Sequence, residues 1–431
     1  LTGLCTVHWG RIENGNIGNY YIVETTVREL HRVFPNAEII TTFQMSESFC
    51  QSEKVTVLPM SIYYSWSESD VDLALKELSI AEIYHDTDFL LQETPFISAV
   101  RSADLVCDFS GEMWGDHAEP VGKNRFLVNL LKMRVAQLLG VPTVLLAGSQ
   151  GPFNLTEKIK PFAHKVFKNY VLAVNREAAS KEMLNQNGFD TSKVRSFTDP
   201  AFLFEPEEDD KMSAIYEKEK VVSPEKNTIG FVLCGFNMLI GPYDKEPRKD
   251  EEFTQFVELI EYIIEKLNAR VFLMSHQNGF EKSPFFKLIN GRDYPYAQRL
   301  YELVKKRRKV NTNDLILPEG PFTPKQTKAI IGKFDMFISG RIHAFVAAVS
   351  QCVPTVIINR GHGGISHRNI GFARSVGLEE FISDPASLED MKTKVDHVWN
   401  NRKNLRKVLE NRIPMVKKTA HELFDSLKEV V

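Results

Sequence analysis

Short apolar runs alternate along this chain with segments whose apolar residues recur at helical spacing, and the alternation repeats from one end to the other. GLCTVHW, residues 3–9, reads as a strand; a Gly/Asn-rich loop over Asn14–Asn19 follows it. Helical spacing then runs from Tyr20 to Val33, stopped by Pro35, and AEIITTF is the next strand. Further on, DLVCDF, PTVLLAG, VLAVN and VRSFTD read as strands, separated by the helices LVNLLKMRVAQLL and AASKEMLNQNG, each closed by a glycine. Strand, helix, strand in this order means parallel pairing with right-handed crossovers.

A hydrophilic stretch from Glu205 to Asn227, carrying two prolines and no sustained apolar face, interrupts the pattern. It marks a boundary. The alternation restarts with TIGFVLCGF and runs through ARVFLMSH, LILPEG, MFISG and PTVIIN, each followed or preceded by a helical segment. The pattern predicts an α/β protein of two doubly wound Rossmann-like domains: residues 1–205, a linker over 206–227, and residues 228–390. Helices over 391–431 are expected to pack across the junction. Such sheets take ligands at the carboxyl ends of their strands, so two in series predict domains facing across a cleft.

Composition narrows the function only by exclusion. The chain has 431 residues, 25% of them charged, and a net charge of −3. That offers no basic field for nucleic acid, and the cluster Lys305–Lys309 is short. The longest apolar runs are far below the ~18 residues of a membrane span. Five scattered cysteines without CxxC spacing support neither a metal site nor a disulfide framework, and a reducing cytoplasm fits them.

The candidate chemistry lies at strand exits. The loop ENGNIGNYY, with Asn16 and Asn19, precedes a helix whose N-terminus can meet an anion or a sugar oxygen; a tight turn explains it equally. DFSGEMWGD offers Asp108, Glu112, Trp114 and Asp116, carboxylates for sugar hydroxyls and an aromatic face for a sugar ring; a solvated connector is the competing reading. AGSQGPF ends the next strand with small residues, as a cleft lining or a simple strand exit. Arg176 follows VLAVN and can fork onto a carboxylate or phosphate, or be a surface residue. The sharpest signal is SGRIHAFVAAVSQ, where a strand delivers Arg341 and His343 to a helix start, suiting an anion whose bond is to be protonated. His362, His367 and Arg368 follow in a glycine-rich loop, a cationic group without metal-ligand spacing.

Taken in order, ISGRIHAFVAAVSQCVPTVIINR and ISHRNIGFARSVGL resemble the closing signature of the polysaccharide pyruvyl transferases. NGNIGNYYIVETTVREL is similar to that family's opening Gly-Asn-x-Gly-Asp loop and helix, AGSQGPF to its Gly-x-Gly-Pro-Phe segment, VNREAASKEMLNQNGF to its Val-Arg-Asp-x-x-Ser helix, and FTDPAFLF to its Asp-Pro-x-Phe strand. The resemblance implies a GT-B-like domain pair and transfer of the pyruvyl group of phosphoenolpyruvate to two hydroxyls of a sugar as a ketal. It makes His343 the acid and Arg176 the donor-holding arginine, with Arg341, His367 and Arg368 on the donor side. Arg368 stands where lysine is usual, Asn19 where the loop aspartate is usual, and Glu177 where a second aspartate is usual.

The missing loop aspartate leaves Glu112 as the first candidate for the acceptor's base. Asn16, Asn19, Asp108, Trp114 and Asp116 are then expected to bind the acceptor on the first domain. Phosphoenolpyruvate is a co-substrate and no cofactor is expected. The partners are that donor and a sugar acceptor, lipid-linked in one version, which would bring the cytoplasmic enzyme to the inner membrane face; nucleic acid is not among them. Two other readings stay open: a GT-B glycosyltransferase using a nucleotide sugar, and a non-catalytic glycan-binding component.

Overall fold

The structure is a computed structural model describing residues 15–118, 123–280, 288–361 and 366–431. The strand expected over residues 3–9, Asn14 and His362 lie outside the described residues. The chain divides into two compact units. Unit 1 contains Thr26–Pro200 and Thr419–Val431; unit 2 contains Ala201–Lys418 together with residues 15–25.

Unit 1 is built on a parallel sheet of β3 (Val106–Asp108), β4 (Thr143–Gly148), β5 (Leu172–Asn175) and β6 (Val194–Ser196), in that spatial order. A smaller parallel pair, β1 (Ile39–Thr41) and β2 (Val55–Val57), stands apart from it. All six residues of β4 are buried, as a central strand covered on both faces must be. The helix Arg125–Leu138 supplies Phe126, Val128, Leu130, Leu131, Met133 and Val135 to the core. Buried deep in that core, Lys132 pairs with Glu77 at 2.5 Å, so this inward-pointing cation is matched by a carboxylate.

Unit 2 carries a six-stranded parallel sheet in the order β11 (Leu315–Ile316), β8 (Arg270–Leu273), β7 (Thr228–Val232), β12 (Met336–Ser339), β13 (Thr355–Ile358), β14 (Ile382–Ser383). Strands are added outward on both sides of β7 and β12, the doubly wound pattern the alternation predicts. An antiparallel hairpin of β9 (Asn278–Phe280) and β10 (Leu288–Asn290) follows β8. Seven of the eight residues of the helix Ile342–Val349 are buried, matching its run of small and apolar side chains.

Two expectations about organisation change. Residues 206–227, read as a linker, contain the helix Asp209–Lys218, whose single apolar anchor, Met212, is fully buried. The opening loop and first helical turns, read as part of the first domain, pack into unit 2. Tyr21 explains why: it is fully buried, stacks on Phe204 at 4.4 Å and donates its hydroxyl to the Pro324 carbonyl. The C-terminal helix runs unbroken from Leu388 to Asp425 with Pro414 inside it, and its end belongs to unit 1. There Asp425 pairs with Arg32 and His421 meets Glu29. Among the described residues no helix is long and apolar enough to cross a membrane.

Candidate functional site

In unit 2 the sheet delivers its chemistry at the carboxyl end of β12. The strand is wholly buried, Gly340 follows it, and the helix Ile342–Val349 begins two residues later. A Cβ at Gly340 would come within 2.1 Å of the Asn237 amide oxygen, so the strand exit requires glycine there. Arg341 then turns its guanidinium onto Asp293: Nε donates to Oδ2 and Nη2 to Oδ1, both at 2.5 Å. Nη2 also donates to Gln277 Oε1 at 2.6 Å. Burial alone would lower the pKa of this arginine, but the Asp293 charge overrides it and the net shift is upward. The result is a guanidinium fixed in plane and permanently charged.

His343 sits in the first turn of that helix, where the N-terminal amides favour negative charge. Its ring meets Phe372 edge-on at 6.0 Å. The opening helix, Ile17–Val33, also lies against it: a Cβ on Gly18 would lie 2.6 Å from both Cβ and Nδ1 of His343. Arg368 stands one turn before Phe372 on the helix His367–Val376, so both project from one helical face. Burial pushes the Arg368 guanidinium down to about 10. His367 opens the same helix. The structure thus gathers Arg341, His343, His367 and Arg368 at the helices that follow β12 and β13.

Unit 1 places Arg176 just past β5, 4% exposed, with Nε donating to the Ser149 hydroxyl at 2.8 Å and Nη1 3.3 Å from Asp199. Its Nη atoms lie 3.8 Å from where a Cβ of Gly111 would be. That puts the Gly111–Met113 turn, with the half-buried Glu112, beside the guanidinium. Glu177 is buried and caps the following helix through the Ser180 N–H at 3.0 Å.

Four residues expected to bind an acceptor are committed elsewhere. Asn16 is the cap of the opening helix, its Oδ1 accepting from the Gly18 and Asn19 amides at 2.9 and 3.3 Å. Asp108 is buried and accepts from Tyr170 (2.6 Å), Asn129 (3.0 Å) and Ser110; burial raises its pKa. Trp114 is fully buried, with Phe126, Phe167 and Phe189 edge-on at 5.2–5.6 Å, and presents no face to a sugar. Asp116 pins the chain after AGSQGPF by accepting from the amides of Asn154 (2.7 Å) and Thr156 (3.0 Å). Asn19 stays half-exposed in the first helical turn, but in unit 2 and next to the His343 locus. Sequence reading missed Asp293 and Gln277: Gln277 follows the strand ARVFLMSH without a charge or motif to single it out, and Asp293 lies in a stretch without hydrophobic period.

The polysaccharide pyruvyl transferase family model matches residues 16–362. The chain belongs to that family. No curated protein matches it. In fold the chain is GT-B-like, similar to solved structures of UDP-sugar enzymes at low identity. Anabaena HepE in complex with UDP aligns over 99% of this chain and 98% of its own, with 9% identity and a TM-score of 0.58. The UDP-GlcNAc 2-epimerase of Neisseria meningitidis bound to UDP-GlcNAc aligns over 100% and 98%, with 10% identity and a TM-score of 0.57. That of Methanocaldococcus jannaschii aligns over 92% and 91%, with 13% identity and a TM-score of 0.54. The matched span, residues 16–362, contains the opening loop from Asn16 onward, Arg176, Arg341 and His343; His367 and Arg368 lie just beyond it.

Proposed function

We propose that this chain transfers the pyruvyl group of phosphoenolpyruvate to a sugar of a polysaccharide or its precursor, forming a cyclic ketal. The observation that carries the reading is the pairing of a fixed, doubly anchored Arg341 with His343 at a helix start, in a chain of this family. An anion with both carboxylate and phosphate suits such a cationic corner, reinforced by Arg368. His343 gives its proton to the methylene carbon of the enol, which becomes the ketal's methyl group and leaves an electron-poor C2. One sugar hydroxyl adds to C2 and loses its proton to a base, for which Glu112 is the candidate. The C2–O bond to phosphate then breaks, phosphate departs, and the second hydroxyl closes the ketal with loss of its own proton. Arg176 is assigned to donor binding.

The second reading is transfer from a nucleotide sugar. It is favoured by the neighbours in fold, several of which hold UDP or a UDP-sugar, and the same cations would suit a diphosphate. Incubation with aryl glycosides and either phosphoenolpyruvate or a panel of UDP-sugars separates the two. Phosphate release with a product heavier by one pyruvate less one water supports pyruvylation. UDP release with a product heavier by one sugar residue replaces it with the second reading.

A further inference from the structure

The Arg341–His343 locus holds a second imidazole that no motif pointed to. His276 follows β8 and is 1% exposed, and neither of its ring nitrogens has a hydrogen-bond partner among the described residues. Buried polar groups are nearly always paired, so two open nitrogens on one interior ring call for a partner that arrives with a ligand or with ordered water. Three contacts fix its place. Its backbone N–H donates to Asp293 Oδ2 at 3.2 Å, the carboxylate that grips Arg341. The next residue, Gln277, accepts from Arg341. Its ring stands edge-on to Tyr21, with centroids 5.5 Å apart.

Tyr21 and Gly18 are three residues apart on the opening helix and so share one face. Gly18 abuts the His343 ring. One helical face therefore seats both imidazoles, and one carboxylate ties the His276 backbone to the guanidinium beside them. Burial first, then the charges of Arg341 and His343, push the His276 pKa far below its ordinary value. The ring stays neutral, with one N–H to give and one lone pair to receive.

We propose that His276 is a further binding residue of this site, donating its ring N–H to a phosphate or carboxylate oxygen of the bound donor. The inference deepens the pyruvyl-transfer reading and rests on it for the identity of the anion. It does not rest on Arg341 being disturbed: the bond to Asp293 comes from the His276 backbone and survives any side-chain change.

The test is calorimetric titration of the full chain with phosphoenolpyruvate and, separately, with UDP, for the parent and for His276→Phe, His276→Asn and His276→Gln. Phenylalanine keeps the edge contact with Tyr21 but has no N–H. It should bind the donor about tenfold or more weakly, the scale of a lost bond to a charged group. Asparagine places an amide N–H near Nδ1 and glutamine near Nε2, so one of the two should recover affinity and the other should not. Parental affinity in His276→Phe overturns the proposal. Where that variant fails to fold, parental affinity in both amide variants overturns it. Binding of UDP and not phosphoenolpyruvate by the parent defeats the pyruvyl reading, and His276 is then judged by the same comparison with UDP. A parent that binds neither defeats both.

Discussion

Arg341 and Arg368 face the same problem of a guanidinium away from water and solve it differently. Arg341 is held by Asp293 and Gln277 and, against burial, the Asp293 charge carries its pKa upward, whereas burial lowers that of Arg368 to about 10. Removing the carboxylate should therefore hurt the fold as well as the site. Asp293→Asn is expected to cost about 3–5 kcal/mol, the range for breaking a buried pair, seen as a lower urea midpoint together with weaker donor binding. Arg368→Met should weaken donor binding, read as a smaller rise in melting temperature on adding phosphoenolpyruvate than the parent shows. His343→Gln should lower turnover about a hundredfold or more with donor affinity little changed, measured by phosphate release and calorimetry. Thiol chemistry checks the burial itself. Burial pushes Cys107 up to about 12 and Cys234 up to about 11, so at pH 8 native protein should leave both unalkylated, while among the described cysteines the half-buried Cys50 and Cys352 react, as peptide mass mapping would show.

The elements themselves were largely legible in the sequence, because hydrophobic period and glycine stops are local signals. β4, β5, β7, β12 and β13 stand where their apolar runs are, and the helix Ile17–Val33 differs from its expected span by three residues at its start. The use made of each element was less legible, since it depends on partners distant in sequence. Trp114 in a Gly-flanked loop looked available to a sugar; the phenylalanines that enclose it come from positions 126, 167 and 189. Gly18 read as a turn residue, yet its role is to let a helix approach His343. That contact is testable at this scale. Gly18→Ala should favour the helix by about 1 kcal/mol of intrinsic propensity, so any loss of turnover must come from the methyl group displacing the imidazole. Turnover is expected to fall at least about tenfold while circular dichroism keeps its helical signal.

For the whole molecule, the doubly wound alternation was sufficient to predict two parallel sheets, and the assignment of chain segments to them was not. Asp293 shows the limit: it stands between the hairpin strand β10 and a helix starting at Tyr294, in a stretch without hydrophobic period. Only the folded chain brings its carboxylate to Arg341. The division of the opening helix is the other case, with Tyr21 buried among Phe204, His276 and Pro324 of unit 2. This arrangement bears on how such a protein can be recombined. A crossover at Pro200, where the chain passes between units, would not exchange intact modules. It would give the recipient half a foreign first helix, and with it a foreign residue opposite His343 and another opposite His276. Chimeras of family members joined at this point should therefore lose activity even when both halves fold. Grafting residues 15–25 from the same parent as the C-terminal half should restore it, which makes that short segment, remote in sequence, the heritable companion of the histidines it touches.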